Sequence, residues 1–110
     1  MTYVFDIDGT ICEPLPDSKF NDYHDVKPYT NRIKHINRLY DEGHTIIMQT
    51  ARGMGRSKNN QLSAYVMFYE MTLSQLKNWG VKHHGLYLGK PAGDIYVDDK
   101  GQSDADFFAN

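Results

Sequence analysis

Two aspartates close the first apolar run of the chain, in Tyr3-Val4-Phe5-Asp6-Ile7-Asp8-Gly9-Thr10. β-Branched and aromatic residues fit a pleated interior, so residues 3 to 5 read as a short buried strand. Two carboxylates one residue apart do not belong inside a strand, because an unpartnered buried charge is costly. The strand should therefore end at Asp8 or Gly9, where a glycine lets the backbone turn sharply. That places Asp6 and Asp8 at a strand end, where a metal ion makes such a cluster tolerable. One carboxylate can then serve as a nucleophile and the other as proton donor and acceptor.

The periodicity downstream repeats the pattern of a strand followed by a helix. Residues 12 to 27 carry Pro14, Pro16 and many polar side chains, and read as an irregular excursion. Pro28 suits the first turn of a helix, Ile33, Ile36, Leu39 and Tyr40 recur at helical spacing, and Gly43 ends it. Thr45 to Gln49 reads as a second strand ending at Thr50. A polar loop over 52 to 60 leads into a long helix from about Gln61 to Trp79, with Leu62, Tyr65, Val66, Tyr69, Leu73 and Leu76 as its core stripe. Leu86 to Leu88 and Ile95 to Val97 read as third and fourth strands. This order predicts one α/β domain over residues 1 to 110, a mostly parallel sheet flanked by helices. In such sheets ligands bind beyond the carboxyl ends of the strands. Asp6, Asp8, Thr50, Lys90, Asp98 and Asp99 all fall at or just after those ends.

The chemistry of that set is consistent. Asp6, Asp8 and Asp98 are hard oxygen ligands suited to Mg²⁺, which commonly binds a few carboxylates and a substrate phosphate. The hydroxyl of Thr50 and the N–H groups after it can cradle a phosphate. Lys90 brings a compact positive charge for a phosphoryl oxygen. Phosphoryl transfer asks for in-line positioning and charge neutralisation above all.

Four segments, in order, resemble the motifs of the haloacid dehalogenase (HAD) superfamily: Asp6-Ile7-Asp8-Gly9-Thr10, then Ile46-Ile47-Met48-Gln49-Thr50, then Lys90, then Asp98-Asp99 after Ile95-Tyr96-Val97. The likeness spans nearly the whole chain and implies a Rossmann-like HAD core. By resemblance Asp6 would attack phosphorus and carry an aspartyl-phosphate. Asp8 would protonate the leaving group, then activate water, and its backbone carbonyl would ligate Mg²⁺. Asp98 would be the carboxylate ligand from the far strand, with Asp99 beside it, and Thr50 and Lys90 would hold the phosphoryl group. A second aspartate at Asp8 favours phosphate chemistry over dehalogenation. Thr50-Ala51-Arg52-Gly53, Gly89-Lys90-Pro91-Ala92 and Tyr96-Val97-Asp98-Asp99-Lys100 resemble the capsule-biosynthesis phosphatase branch, which implies a sugar phosphate or related polysaccharide precursor as substrate. Ala51 and Arg52 are the candidate substrate-binding residues, and Arg52 either binds a substrate anion or lies on a solvated loop. The intervals from Thr10 to Pro28 and from Thr50 to Lys90 are short for the cap domain common in the superfamily, so no cap is expected.

Other features bound the alternatives. The formal net charge of −2 and the small basic cluster Arg52, Arg56 and Lys58 argue against nucleic acid as partner, since affinity there comes largely from neutralising phosphates. A nucleic-acid end-processing or nucleotide phosphatase is therefore the second reading. A receiver-like phospho-acceptor is disfavoured because its phosphorylated aspartate follows the acidic pair, whereas Asp6 and Asp8 come first here. No apolar run approaches the ~20 residues that span a bilayer, so no membrane partner is expected. The N-terminal stretch is interrupted by Asp6 and Asp8 and does not read as a signal peptide. Cys12 is the single cysteine, which fits a reducing cytoplasmic location, and it reads as a small spacer beside the site. His83-His84 reads as a solvated turn. Met67, Phe68 and Met71 lie off the expected core stripe and widen its apolar face, which marks either a homodimer contact or a helix buried more fully in its own domain.

Overall fold

A computed structural model describes residues 1–15 and 23–109. Residues 16–22, which belong to the expected irregular excursion, lie outside the described residues. The described chain forms a three-stranded parallel sheet in the order β1-β2-β3. Its strands are β1 (Thr2–Phe5), β2 (Thr45–Thr50) and β3 (Gly85–Leu88). Helices α1 (Thr30–Asp41) and α2 (Gln61–Asn78) make the two crossovers that parallel neighbours require, and a short α3 (Asp104–Phe107) follows β3. Tyr3 pairs with Ile46 and Ile47 with Gly85.

Side-chain alternation is clearest on β2. Ile46, Met48 and Thr50 are buried while Thr45, Ile47 and Gln49 are less so. Ile46 and Met48 join Ile33 and Ile36 of α1, Leu76 of α2 and Leu86 and Leu88 of β3 in one core. β1 is an edge strand, with Val4 58% exposed and Phe5 buried. Against it pack Phe107 and Phe108, whose rings lie 5.4 and 6.0 Å from Phe5.

Three expectations need correction. Pro28 does not open α1, which begins at Thr30. Pro28 instead bridges to Cys12, and the Tyr29 N–H donates to Ile11 at 2.8 Å, so this segment is held extended against the turn after Asp8. Ile95–Val97 is not a strand: Ile95 and Val97 are 82% and 91% exposed. There the Tyr96 hydroxyl donates to Pro91 O at 2.6 Å and accepts the Gly93 N–H at 2.9 Å. Local bonds thus close a loop where a three-residue apolar run is too short to specify a ladder.

The third correction is the rotation of α2. Of its expected stripe Leu76 is buried and Tyr65 and Tyr69 pack partly buried against the core, but Leu62 and Val66 are 76% and 80% exposed, and Leu73 is exposed as well. The inward face is Ala64, Thr72, Gln75 and Leu76. Thr72 and Gln75 are drawn in by a buried arginine described below, an interaction that a hydrophobic pattern does not encode. The side chains off that stripe turn with it. Phe68 is half-buried with its ring 5.0 Å from Tyr23, and the Met71 sulfur lies 3.6 Å from Arg52. Of the three side chains expected at a dimer contact, only Met67 is exposed. No helix among the described residues is long and apolar enough to cross a membrane.

Candidate functional site

The site begins where β1 ends. Beyond Phe5 the chain continues through Asp6 and buried Ile7 to Asp8, then turns. The N–H groups of Thr10 and Ile11 donate back to Ile7 O at 3.0 and 2.9 Å, and Gly9 N–H donates to Cys12 O at 2.9 Å. Gly9 has φ +81°, in the left-handed region that a side chain disfavours, so glycine makes this tight return possible. The turn presents both carboxylates at the carboxyl rim of the sheet.

Asp6 is the carboxylate that faces Lys90. Its side chain is 34% exposed, and the Lys90 ammonium lies 3.9 Å from Oδ1. Burial raises its pKa above the ordinary carboxylate value, and the opposing pull of Lys90 and of the Ile7 amide does not cancel that rise. Lys90 follows β3, its N–H donates to Thr50 O at 3.2 Å, and its ammonium lies 4.3 Å from the Tyr96 ring centre. The ends of β1, β2 and β3 thereby bring Asp6, Thr50 and Lys90 to one rim. Thr50 is buried, and its hydroxyl oxygen accepts the Arg52 N–H at 3.1 Å. That bond occupies a lone pair and leaves the hydroxyl proton to donate elsewhere.

Asp8 is held by Arg52. Nε donates to Oδ2 at 2.9 Å and Nη2 to Oδ1 at 3.0 Å, a planar two-point pair. The Arg52 side chain has no exposed surface. Its Nη1 donates to Gln75 Oε1 at 2.6 Å and Thr72 Oγ1 at 3.2 Å, and the guanidinium lies 4.6 Å from the Tyr23 ring centre. Both readings of Arg52 from the sequence, a substrate ligand or a solvated loop residue, give way to a buried partner of Asp8. Ala51 is half-buried between Thr50 and Arg52, and the turn after it is closed by the Met54 N–H donating to Ala51 O at 2.9 Å.

Cys12 is fully buried, with its sulfur 3.6 Å from Asp8 Oδ1. Burial, reinforced by the Asp8 charge, pushes its thiol up to about 12, so it is not a nucleophile at neutral pH. It fills the turn beside the site, as its position in the sequence suggests.

Asp98 and Asp99 are exposed. Asp98 Oδ1 accepts the N–H groups of Lys100, at 2.8 Å, and of Gly101. These bonds hold its carboxyl below the ordinary carboxylate value. The residue therefore caps its own turn. Among the described residues no group of three His, Cys, Asp or Glu side chains is arranged to hold a metal ion. Two carboxylates from one strand end, one of them already bound by Arg52, do not complete a Mg²⁺ donor set. As placed, the residues do not fit the ion, and no step below is routed through it.

A cleft of about 510 Å³ opens between His24 and the α2 residues Glu70, Ser74 and Asn78, with Gln75 and Met71 in its wall. It adjoins the support of Arg52 and is not lined by Asp6, Asp8, Thr50 or Lys90.

No family model and no curated protein matches the chain. The crystal structure of an MCSG target from Vibrio cholerae superposes with a TM-score of 0.85 at 23% identity, over 96% of this chain and 85% of that one. At that identity the likeness concerns architecture alone, and the chain shares with that protein a Rossmann-like α/β fold built on a parallel sheet.

Proposed function

We propose that the protein is a phosphomonoester hydrolase that works through an aspartyl-phosphate on Asp6. The observation that carries this reading is the grouping at one rim of a desolvated carboxylate, an ammonium 3.9 Å from it and a buried hydroxyl on the neighbouring strand. Desolvation keeps the Asp6 anion poorly satisfied, which favours its attack on an electrophile. In the first step an Asp6 oxygen bonds to phosphorus, the phosphorus–oxygen bond of the ester breaks, and Asp8 gives a proton to the departing oxygen. In the second, Asp8 takes a proton from water as the water oxygen bonds to phosphorus and Asp6 is released. Lys90 and Thr50 stabilise the equatorial oxygens, which carry most of the transition-state charge.

The proposed substrate is a small sugar phosphate or polysaccharide precursor, and the proposed location is the reducing cytoplasm, where a lone buried thiol persists. The proposed activity includes dependence on Mg²⁺, for which Asp98 would have to leave the turn that it now caps. The test is phosphate release from sugar phosphates, nucleotides and 5′-phosphorylated oligonucleotides, with Mg²⁺ and with chelator. Release from sugar phosphates is the expected result. Preference for oligonucleotides, with steep salt dependence, would shift the reading to nucleic-acid ends. A long-lived phosphoprotein without phosphate release would mark a phospho-acceptor.

A further inference from the structure

We infer that Arg52 is a positioning residue for Asp8, and that α2 sets the direction in which Asp8 handles protons; this rests on the phosphatase reading above. An arginine that binds a substrate anion must offer donors to solvent. Arg52 offers none from an exposed surface, because its side chain is wholly buried. At least four of its five N–H donors are engaged, by Asp8 Oδ1 and Oδ2, Gln75 and Thr72. Gln75 is itself fixed, since its Nε2 donates to Tyr23 O at 2.7 Å. A chain of bonds thus runs from Tyr23 through Gln75 and Arg52 to Asp8.

The same bonds select one oxygen of Asp8. Each carboxylate oxygen has two lone pairs. Oδ1 receives Arg52 Nη2 and, more weakly, the Cys12 thiol at 3.6 Å. Among the described residues Oδ2 receives Arg52 Nε alone, so its second lone pair is the place where a proton can be given or taken. A flat, two-point contact fixes the plane of the carboxylate as a single ammonium cannot. General acid catalysis depends on that placement, and most strongly when the leaving group is a poor one.

The experiment compares two esters in the wild type and in Arg52→Lys, which keeps the charge and loses the fork. One is an alkyl phosphate, whose alkoxide must be protonated as it leaves. The other is p-nitrophenyl phosphate, whose phenolate leaves without a proton. The measured quantity is kcat/KM, which covers the chemistry up to departure of the leaving group. Positioning predicts a fall of roughly 100-fold for the alkyl ester and less than about 10-fold for the aryl ester. Gln75→Leu, which leaves the ion pair and removes its support, should repeat that selectivity at roughly 3- to 10-fold and serves if Arg52→Lys does not fold. Equal losses for both esters would overturn the positioning role and leave the phosphatase reading standing. Wild-type protein that releases phosphate from neither ester would overturn the phosphatase reading and the role with it.

Discussion

Asp6→Asn is expected to abolish phosphate release and to stabilise the fold. Turnover should fall by about 10⁴-fold or more, the scale on which removal of a covalent nucleophile acts. The stability change follows from the raised pKa of Asp6. A carboxyl whose folded pKa lies above its unfolded value binds more protons in the folded state, so its contribution to stability falls as pH rises. Burial is the dominant cause, and it outweighs the attraction of Lys90. Below the ordinary carboxylate pKa of 3.8 both states are protonated and wild type carries no penalty from this group. The penalty grows as pH rises through the raised folded value and stays constant above it. Thermal melts in chelating buffer should therefore show Asp6→Asn melting higher than wild type at pH 8, with the gap closing in acid. A gap independent of pH would mean that Lys90 cancels the burial, and a gap of opposite sign at pH 8 would mean that it overcompensates.

The second large effect is structural and lies at Gly53→Ala. Gly53 has φ +80°, and a Cβ there would meet Phe68 Cδ2 at 2.7 Å and the Ala64 backbone at 3.2 Å. The left-handed backbone costs an alanine ~1–2 kcal/mol. Forcing a methyl into the gap under α2 adds ~1–3 kcal/mol. Together these should lower the melting temperature by roughly 10–30 °C in a domain of this size. In a Phe68→Leu background the ring contact is relieved and the Ala64 backbone contact remains, so Gly53→Ala should cost less than in the wild type, a coupling that a double-mutant cycle reads directly. The site should suffer as well. Gly53 follows Arg52, and the helix it would displace carries Thr72 and Gln75, so alkyl-phosphate turnover should fall in the variant even at temperatures where it remains folded.

How far the sequence reveals this molecule depends on which interactions decide each element. β1, β2, β3, the body of α1 with its stop at Gly43, and the extent of α2 are legible from apolar periodicity, whereas the start of α1 at Thr30 is not, because Pro28 is held extended against Cys12. The face that α2 presents is not legible from hydrophobicity. It is decided by a guanidinium at Arg52 that pulls Thr72 and Gln75 inward, and so turns Leu62 and Val66 outward. Helix α3 left a readable trace in Ser103-Asp104-Ala105-Asp106, whose Ser103 Oγ accepts the Asp106 N–H at 3.2 Å. Phe107, its last residue, and Phe108 beyond it pack on Phe5 of β1.

The candidate site divides along the same line. Asp6, Thr50 and Lys90 reach one rim because each follows a strand of one parallel sheet, and strand order is legible from connectivity. The pairing of Asp8 with Arg52 joins residues far apart in the chain across a loop, and no local spacing announces it. Asp98 was placed at the rim on the strength of a fourth strand. With Ile95–Val97 closed into a loop, it caps a turn instead.

The central claim is that Asp6 carries the phosphoryl group. It is tested most directly by mixing the protein with substrate, quenching in acid within the turnover time, and mapping the modified peptide by mass spectrometry. The account predicts one phosphoryl group on Asp6 in wild type and none in Asp6→Asn. A phosphoryl group on another residue, or turnover with Asp6 unmodified throughout, would contradict it.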